Sequence, residues 1–318
     1  MNYKINNIRA FAITAVVFGH SIIIYSSLWG VYKSEDVCPM LDAVKRYINL
    51  FQMPLFFFLS GFLFGISSKN ETIIEFFTKK FRRLMIPFFL IGMMWMIPIK
   101  LIVRYPGYQN DNYISAFLKL LTNTDSGHLW FLPTLFIIFV IFFSLKRIGI
   151  WTKKIIVLFI CLGAGCFYGL IPDFGIPYLK SVYQYAWAFA LGGCVIEESV
   201  EKLLLFLRRY KWINYVIFLI CLIDTMFLYR RDLICAILFT LAIYSAMPDI
   251  PIALLNKVSR NSFGIYLFHS PLIYITFTYF FDYPVSFVVL LNFVVWGTIA
   301  YFITELVRST KFKVLIGE

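Results

Sequence analysis

The chain has 318 residues, of which 61% are hydrophobic and 20% aromatic while only 14% are charged, and its mean hydropathy is +0.80. No ordinary water-soluble domain has such a composition, so the sequence is that of a polytopic membrane protein, and its apolar runs recur too evenly to leave room for a separate soluble domain. The net charge of +12 does not indicate nucleic acid, because the basic residues stand in short clusters between apolar runs rather than on one polar surface.

Taken in order, the apolar runs predict an all-α protein of about ten transmembrane helices, near 8–27, 48–67, 84–104, 128–145, 155–171, 181–197, 212–229, 232–247, 261–280 and 285–306. With both termini cytoplasmic, 20 of the 29 Lys and Arg fall on the cytoplasmic side, as the positive-inside rule requires. The whole chain, 1–318, reads as one integral-membrane domain. Of its connections, 28–47 and 105–127 are the longer outer ones. Pro106-Gly107 marks a turn, and Ile114 to Leu121 has the pattern of a short interfacial helix. No C-x-x-C occurs among the six cysteines, which argues against a disulfide framework or a zinc site, and no metal is expected.

The first run carries Arg9 near its start and His20 eleven residues later. In a helix eleven residues make three turns, so the two share a face with a rise of roughly 16 Å between them, about half the hydrocarbon core. The run lacks an A-x-A-like cleavage site and reads as a retained first span. A titratable base at that depth is costly, and is a functional hypothesis by default. The alternative, a histidine that only hydrogen-bonds a neighbouring helix, is expected for at least one of His20, His128 and His269.

The second run, F-Q-M-P-L-F-F-F-L-S-G-F-L-F-G, places Pro54 early in its helix and makes Ser60-Gly61 a small patch where a helix or a ligand can come close. Lys79, Lys80, Arg82 and Arg83 then stand at the mouth of the third span. They suit anionic lipid headgroups or a polyphosphate ligand, and charge alone favours lipid. At the start of the fourth span, His128 can bind a sugar hydroxyl and Trp130 has the position of an interfacial anchor. Late in the chain, S-R-N-S-F-G-I-Y-L-F-H-S-P sets Ser262, Tyr266 and His269 within about two helical turns.

In this order the motifs resemble the acyltransferase 3 family, and within it the short fucose 4-O-acetylase-like branch that acylates surface polysaccharides. The carriers are Arg9 to His20, the block of Phe57, Phe58, Ser60, Gly61 and Phe62, the basic residues Lys80 to Arg83, the H-L-W-F-L block from His128, and Ser262 to Pro271. Many relatives have an Asp before the first motif and another in G-x-D-x-F-F; here Asn6 or Asn7 and Met53-Pro54-Leu55 stand in their places.

The resemblance implies a multi-pass protein of the bacterial inner membrane that moves an acyl group, most often acetyl, from cytoplasmic acetyl-CoA to a hydroxyl of a cell-surface glycan or lipid-linked sugar. On that reading Lys80, Arg82, Arg83 and Arg9 hold the CoA phosphates. His20 acts as general base on the acceptor hydroxyl or accepts the acyl group itself, with Arg9 as its companion in the motif. Ser60, His128, Trp130, Ser262, Tyr266 and His269 line the substrate pocket, and the other partners are membrane lipids. The rival reading is a transporter or flippase for acyl groups or lipid-linked sugars, with His20 and Asp224 relaying protons; a non-catalytic scaffold leaves the spacing of Arg9 and His20 unexplained.

Overall fold

A computed structural model describes residues 3–28, 38–67, 71–172, 174–228 and 233–318, and among them every regular element is helical. A lipid-embedded backbone must satisfy its polar groups internally, and helices do so within one segment. In chain order the elements used below are α1 (Tyr3–Ser21), α2 (Pro39–Asn49), α3 (Gln52–Gly65), α4 (Ile73–Ile102), α5 (Tyr113–Leu121), α6 (Gly127–Arg147), α7 (Ile150–Phe167), α8 (Leu179–Gly193), α9 (Glu198–Arg209), α10 (Lys211–Ile223), α11 (Leu233–Ala246), α12 (Ala253–Tyr279) and α13 (Val285–Ser309). Five helical stretches are long and apolar enough to cross a membrane, or six if α9 and the helix after it, bent by 94°, form one broken span. The outer connection expected over 28–47 is helical from Pro39 on, and α2 and α3 together count as one of the five. The short helix expected at 114–121 is α5, opened by a capping box between Asn112 and Ser115.

The chain divides into two compact units, Met1–Ala12 with Arg46–Thr72 and Ile137–Ser259, and Ile13–Lys45 with Ile73–Phe136 and Arg260–Glu318. In the first, α3 packs on α8, and α8 on α7. The small patch at Ser60-Gly61 is filled by a helix rather than by a ligand. A Cβ on Gly61 would lie 1.9 Å from the Phe189 carbonyl oxygen, and one on Gly192 would lie 1.9 Å from that of Phe58. Such backbone approach is the small-residue packing of membrane helices. Gly61→Val is therefore expected to force α3 and α8 apart, costing at least about 1–3 kcal/mol. The result to measure is a large loss of monodisperse protein in detergent, and wild-type yield and melting temperature would refute it.

The start of α1 belongs to the same unit. Fully buried Asn7 donates from Nδ2 to the carbonyls of Pro248 and Ile250, both at 3.0 Å, and the Lys4 backbone N–H donates to Asp249. The asparagine that stands near the position of the relatives' Asp thus ties the first helix to the turn after α11.

In the second unit, the segment after α1 is pinned by α2. Asp42 accepts from Ser26 Oγ at 2.7 Å and from the Ser27 backbone N–H at 2.8 Å. Beside it, Ile24 and Tyr25 pack with Ile273, Phe277 and Val288. Trp95 Nε1 donates to the Phe268 carbonyl, joining α4 to α12, and Trp296 Nε1 donates to Thr276, joining α13 to α12.

Candidate active site

All three histidines lie in the second unit: His20 in the last turn of α1, His128 in the 3-10 turn that opens α6, and His269 in α12. His20 Nδ1 is 2.8 Å from His269 Nε2, with the rings 18° from parallel. His269 Nδ1 is 2.8 Å from the carbonyl oxygen of Ile265. His128 Nε2 is 3.1 Å from the carbonyl oxygen of Leu267, and its ring meets that of His269 edge-on with centroids 5.6 Å apart.

These partners assign the protons. A carbonyl oxygen only accepts, so His269 Nδ1 and His128 Nε2 each carry a hydrogen. Neutral His269 then offers a lone pair at Nε2, and the hydrogen between the paired rings belongs to His20 Nδ1. His20 Nε2 is left as a bare lone pair with no hydrogen-bond partner among the described residues. His128 Nδ1 is also bare: it is buried and has no partner among the described residues. The support of His20 is an imidazole backed by a main-chain carbonyl.

The sequence near Pro271 explains why those carbonyls face the site. Proline has no N–H, so the carbonyl four residues earlier, that of Leu267, loses its helical donor. His128 supplies the replacement. Tyr266 holds the same turn by donating its hydroxyl to the His128 carbonyl, and a Cβ on Gly264 would lie 2.2 Å from the Thr304 side chain, so glycine lets α13 close on this part of α12. The block from Ser262 to Pro271 is thus a bracket for two histidines.

The other predicted residues divide between the units. Buried Ser262 is one turn before Tyr266, and half-buried Trp130 follows His128 by two residues, all in the second unit. So do the basic residues. Lys80 lies 5.4 Å from the Phe76 ring, and Arg82 and Arg83 are exposed in the π-helical turn Phe81–Met85 of α4. Half-buried Arg9 and Ser60 belong to the first unit, Arg9 on the same continuous helix as His20. Glu305 accepts from Asn261 at 2.6 Å and Arg308 at 3.0 Å. Buried Asp224, the relay of the transporter reading, also lies in the first unit.

Sequence reasoning passed over two buried lysines beside this site. Lys100, with no exposed surface, pairs with Asp125 at 2.7 Å and is ringed by Tyr105, Tyr108 and Tyr274, at 4.8, 4.7 and 5.6 Å from their centroids. Asp125 also accepts from the Gly127 backbone N–H at 3.1 Å, so the pair fixes the turn that carries His128. Burial, then the nearby Asp125 carboxylate, pushes the Tyr108 phenol above its ordinary range and keeps it a neutral donor. Lys45 is the second. A lysine inside the apolar run I-P-I-K-L-I was the visible signal for Lys100. Among the described residues no cluster of His, Cys, Asp and Glu could hold a metal ion.

Long apolar helices around a chain of neutral imidazoles that ends on a bare lone pair define a membrane enzyme equipped to take a proton from a weak acid such as a hydroxyl. The family model described as an acyltransferase domain, acyltransferase 3, matches residues 2–305, and the chain belongs to that family: it is a membrane acyltransferase. No curated protein and no solved structure matches it.

Proposed function

We propose that the protein transfers an acetyl group from cytoplasmic acetyl-CoA to a hydroxyl of a cell-surface polysaccharide or lipid-linked sugar, as a protein of the bacterial inner membrane with about ten spans and both termini inside. The observation that carries this reading is the tautomer chain from the Ile265 carbonyl through His269 to His20. It holds the lone pair of His20 at Nε2, where a general base is needed. His20 removes the proton of the acceptor hydroxyl as its oxygen attacks the thioester carbonyl, and the imidazolium then returns the proton to the departing CoA thiolate. A base so placed contributes about 10²–10⁴-fold. His128 Nδ1 accepts from a neighbouring hydroxyl of the sugar, with Tyr266, Ser262 and Trp130 as the other pocket residues.

The donor end of the reading rests on Arg82 and Arg83. Both guanidiniums are exposed, and two of them beside Lys80 can embrace a pyrophosphate and the 3′-phosphate of CoA.

The test is covalent transfer. Membranes carrying the full chain, given acetyl-CoA labelled in the acetyl group together with the cell's own glycan, are expected to put label on the glycan in an alkali-labile ester; a transporter would leave none there. Arg82→Ala and Arg83→Ala are each expected to raise KM for acetyl-CoA by about 10-fold at nearly constant kcat. Unchanged constants would return these residues to lipid anchoring.

A further inference from the structure

Lys45 is only 3% exposed, and its ammonium has neither a hydrogen bond nor an ion pair among the described residues. The contrast with Lys100 is informative: that buried lysine has Asp125 and three tyrosine rings, whereas Lys45 has no ion pair among the described residues. An unpaired ammonium is costly in a protein interior, and retaining one implies a use for it.

Its place follows from α2. Asp42, three residues earlier, is anchored to Ser26 and Ser27, and Leu41, four residues earlier, packs against the cluster that Ile24 and Tyr25 form with Ile273, Phe277 and Val288. Residues three and four apart share a helix face, so Lys45 lies one turn along the face that α2 turns to the end of α1. His20 is in the last turn of α1, six residues before Ser26, at the end of the helix where α2 is anchored.

We infer that Lys45 is a catalytic residue whose ammonium donates a hydrogen bond to the carbonyl oxygen of the acyl group as that oxygen becomes an anion. The inference rests on the acyl-transfer reading and completes it. When the acceptor oxygen bonds to the thioester carbon, the carbonyl π pair moves onto oxygen, and the proton of the acceptor goes to His20 Nε2. Nothing in the imidazole chain meets that new negative charge, because each ring nitrogen in it is a lone pair or an N–H already given to an acceptor. An ammonium with no ion pair among the described residues, on the helix face turned to the end of α1, is oriented before the charge appears and gives up no described partner when it does. Collapse of the adduct breaks the carbon–sulfur bond, restores the carbonyl and frees the ammonium again.

Lys45→Met keeps the length and the apolar stem of the side chain and removes charge and donors. In membranes with acetyl-CoA and glycan, it is expected to lower kcat by about 10²–10³-fold while KM for acetyl-CoA changes less than about threefold. Because an uncompensated charge leaves the interior, its melting temperature in detergent should hold or rise by a few degrees. A second measurement needs no acceptor. With purified protein and the ketone analogue of acetyl-CoA labelled with ¹³C at the carbonyl, the infrared carbonyl stretch should shift to lower frequency in the wild type and in His20→Ala, and return to its solution value in Lys45→Met. A kcat within about threefold of wild type, a loss confined to KM, or a lowered melting temperature with an unchanged carbonyl stretch would each overturn the assignment. If wild-type membranes transfer no acetyl group, the acyl-transfer reading itself falls; if transfer requires His20 but not Lys45, only this inference does.

Discussion

His269→Phe is expected to lose about 10²–10⁴-fold in kcat for acetyl transfer with KM for acetyl-CoA nearly unchanged, and His20→Ala to lose all detectable transfer. The second expectation follows from removing the base. The first follows from the tautomer. His269 Nε2 accepts the Nδ1 hydrogen of His20 at 2.8 Å, and it can do so because the Ile265 carbonyl claims its own hydrogen at Nδ1. With phenylalanine at 269 the volume is kept but the acceptor is gone. The proton of His20 is then free to sit on Nε2, where it occupies the lone pair needed for the reaction. A lost orienting partner of a catalytic histidine acts this way in serine hydrolases, where the wrong tautomer alone costs several orders of magnitude. His269→Gln returns an acceptor oxygen near the same place, so it should recover part of the loss, which a merely space-filling role for His269 would not predict. Rates in membranes, normalised to folded protein, decide it: a phenylalanine variant within a few-fold of wild type would remove His269 from the mechanism.

Much of this site was legible because it is written in rare residues. Three histidines in an apolar chain stand out, and all three converge. The block ending in Pro271 was legible as a motif but not as a device. What it does depends on a main-chain carbonyl freed by proline and taken up by a side chain 139 residues away, and no spacing rule connects those two positions. The support of His20 illustrates the same limit. Sequence names the residue types that can orient an imidazole, whereas the fold chooses among them, and here it chose a second imidazole.

The lysines were missed for a different reason. Lys45 stands in D-A-V-K-R-Y-I, a polar run that reads as an outer loop, and it is buried because that run is helical and closes over the end of α1. Charge in sequence signals exposure unless it interrupts an apolar run, and only Lys100 does that. The phenylalanine-rich second run was read correctly at its glycine, since a Ser-Gly step among large rings leaves one place for a backbone to approach. Which helix takes that place, α8 with its own Gly192, is a matter of tertiary pairing that the local pattern does not carry.

Breaking the buried pair of Lys100 and Asp125 should show how stability and site geometry are joined. Asp125→Asn leaves the ammonium of a lysine with no exposed surface facing three tyrosine rings and no counter-charge. Cutting one partner from a buried pair costs about 3–5 kcal/mol. The Asp125 side chain keeps 31% of its surface exposed, so water screens part of the interaction and the lower end of that range is expected. Lys100→Met removes the charge that suffers and leaves a carboxylate able to reach water, which should cost about 1–2 kcal/mol. The double variant should then resemble Lys100→Met rather than the sum of the two, a coupling of about 3 kcal/mol in a double-mutant cycle read from unfolding in detergent. Additive losses would mean that the pair is incidental. The kinetic consequence separates this pair from the donor site. Asp125 Oδ1 accepts from the Gly127 backbone N–H at 3.1 Å, one residue before His128, so folded Asp125→Asn should raise KM for the glycan acceptor while leaving KM for acetyl-CoA where it was. The opposite pattern would place the aromatic lysine cage on the route of the donor.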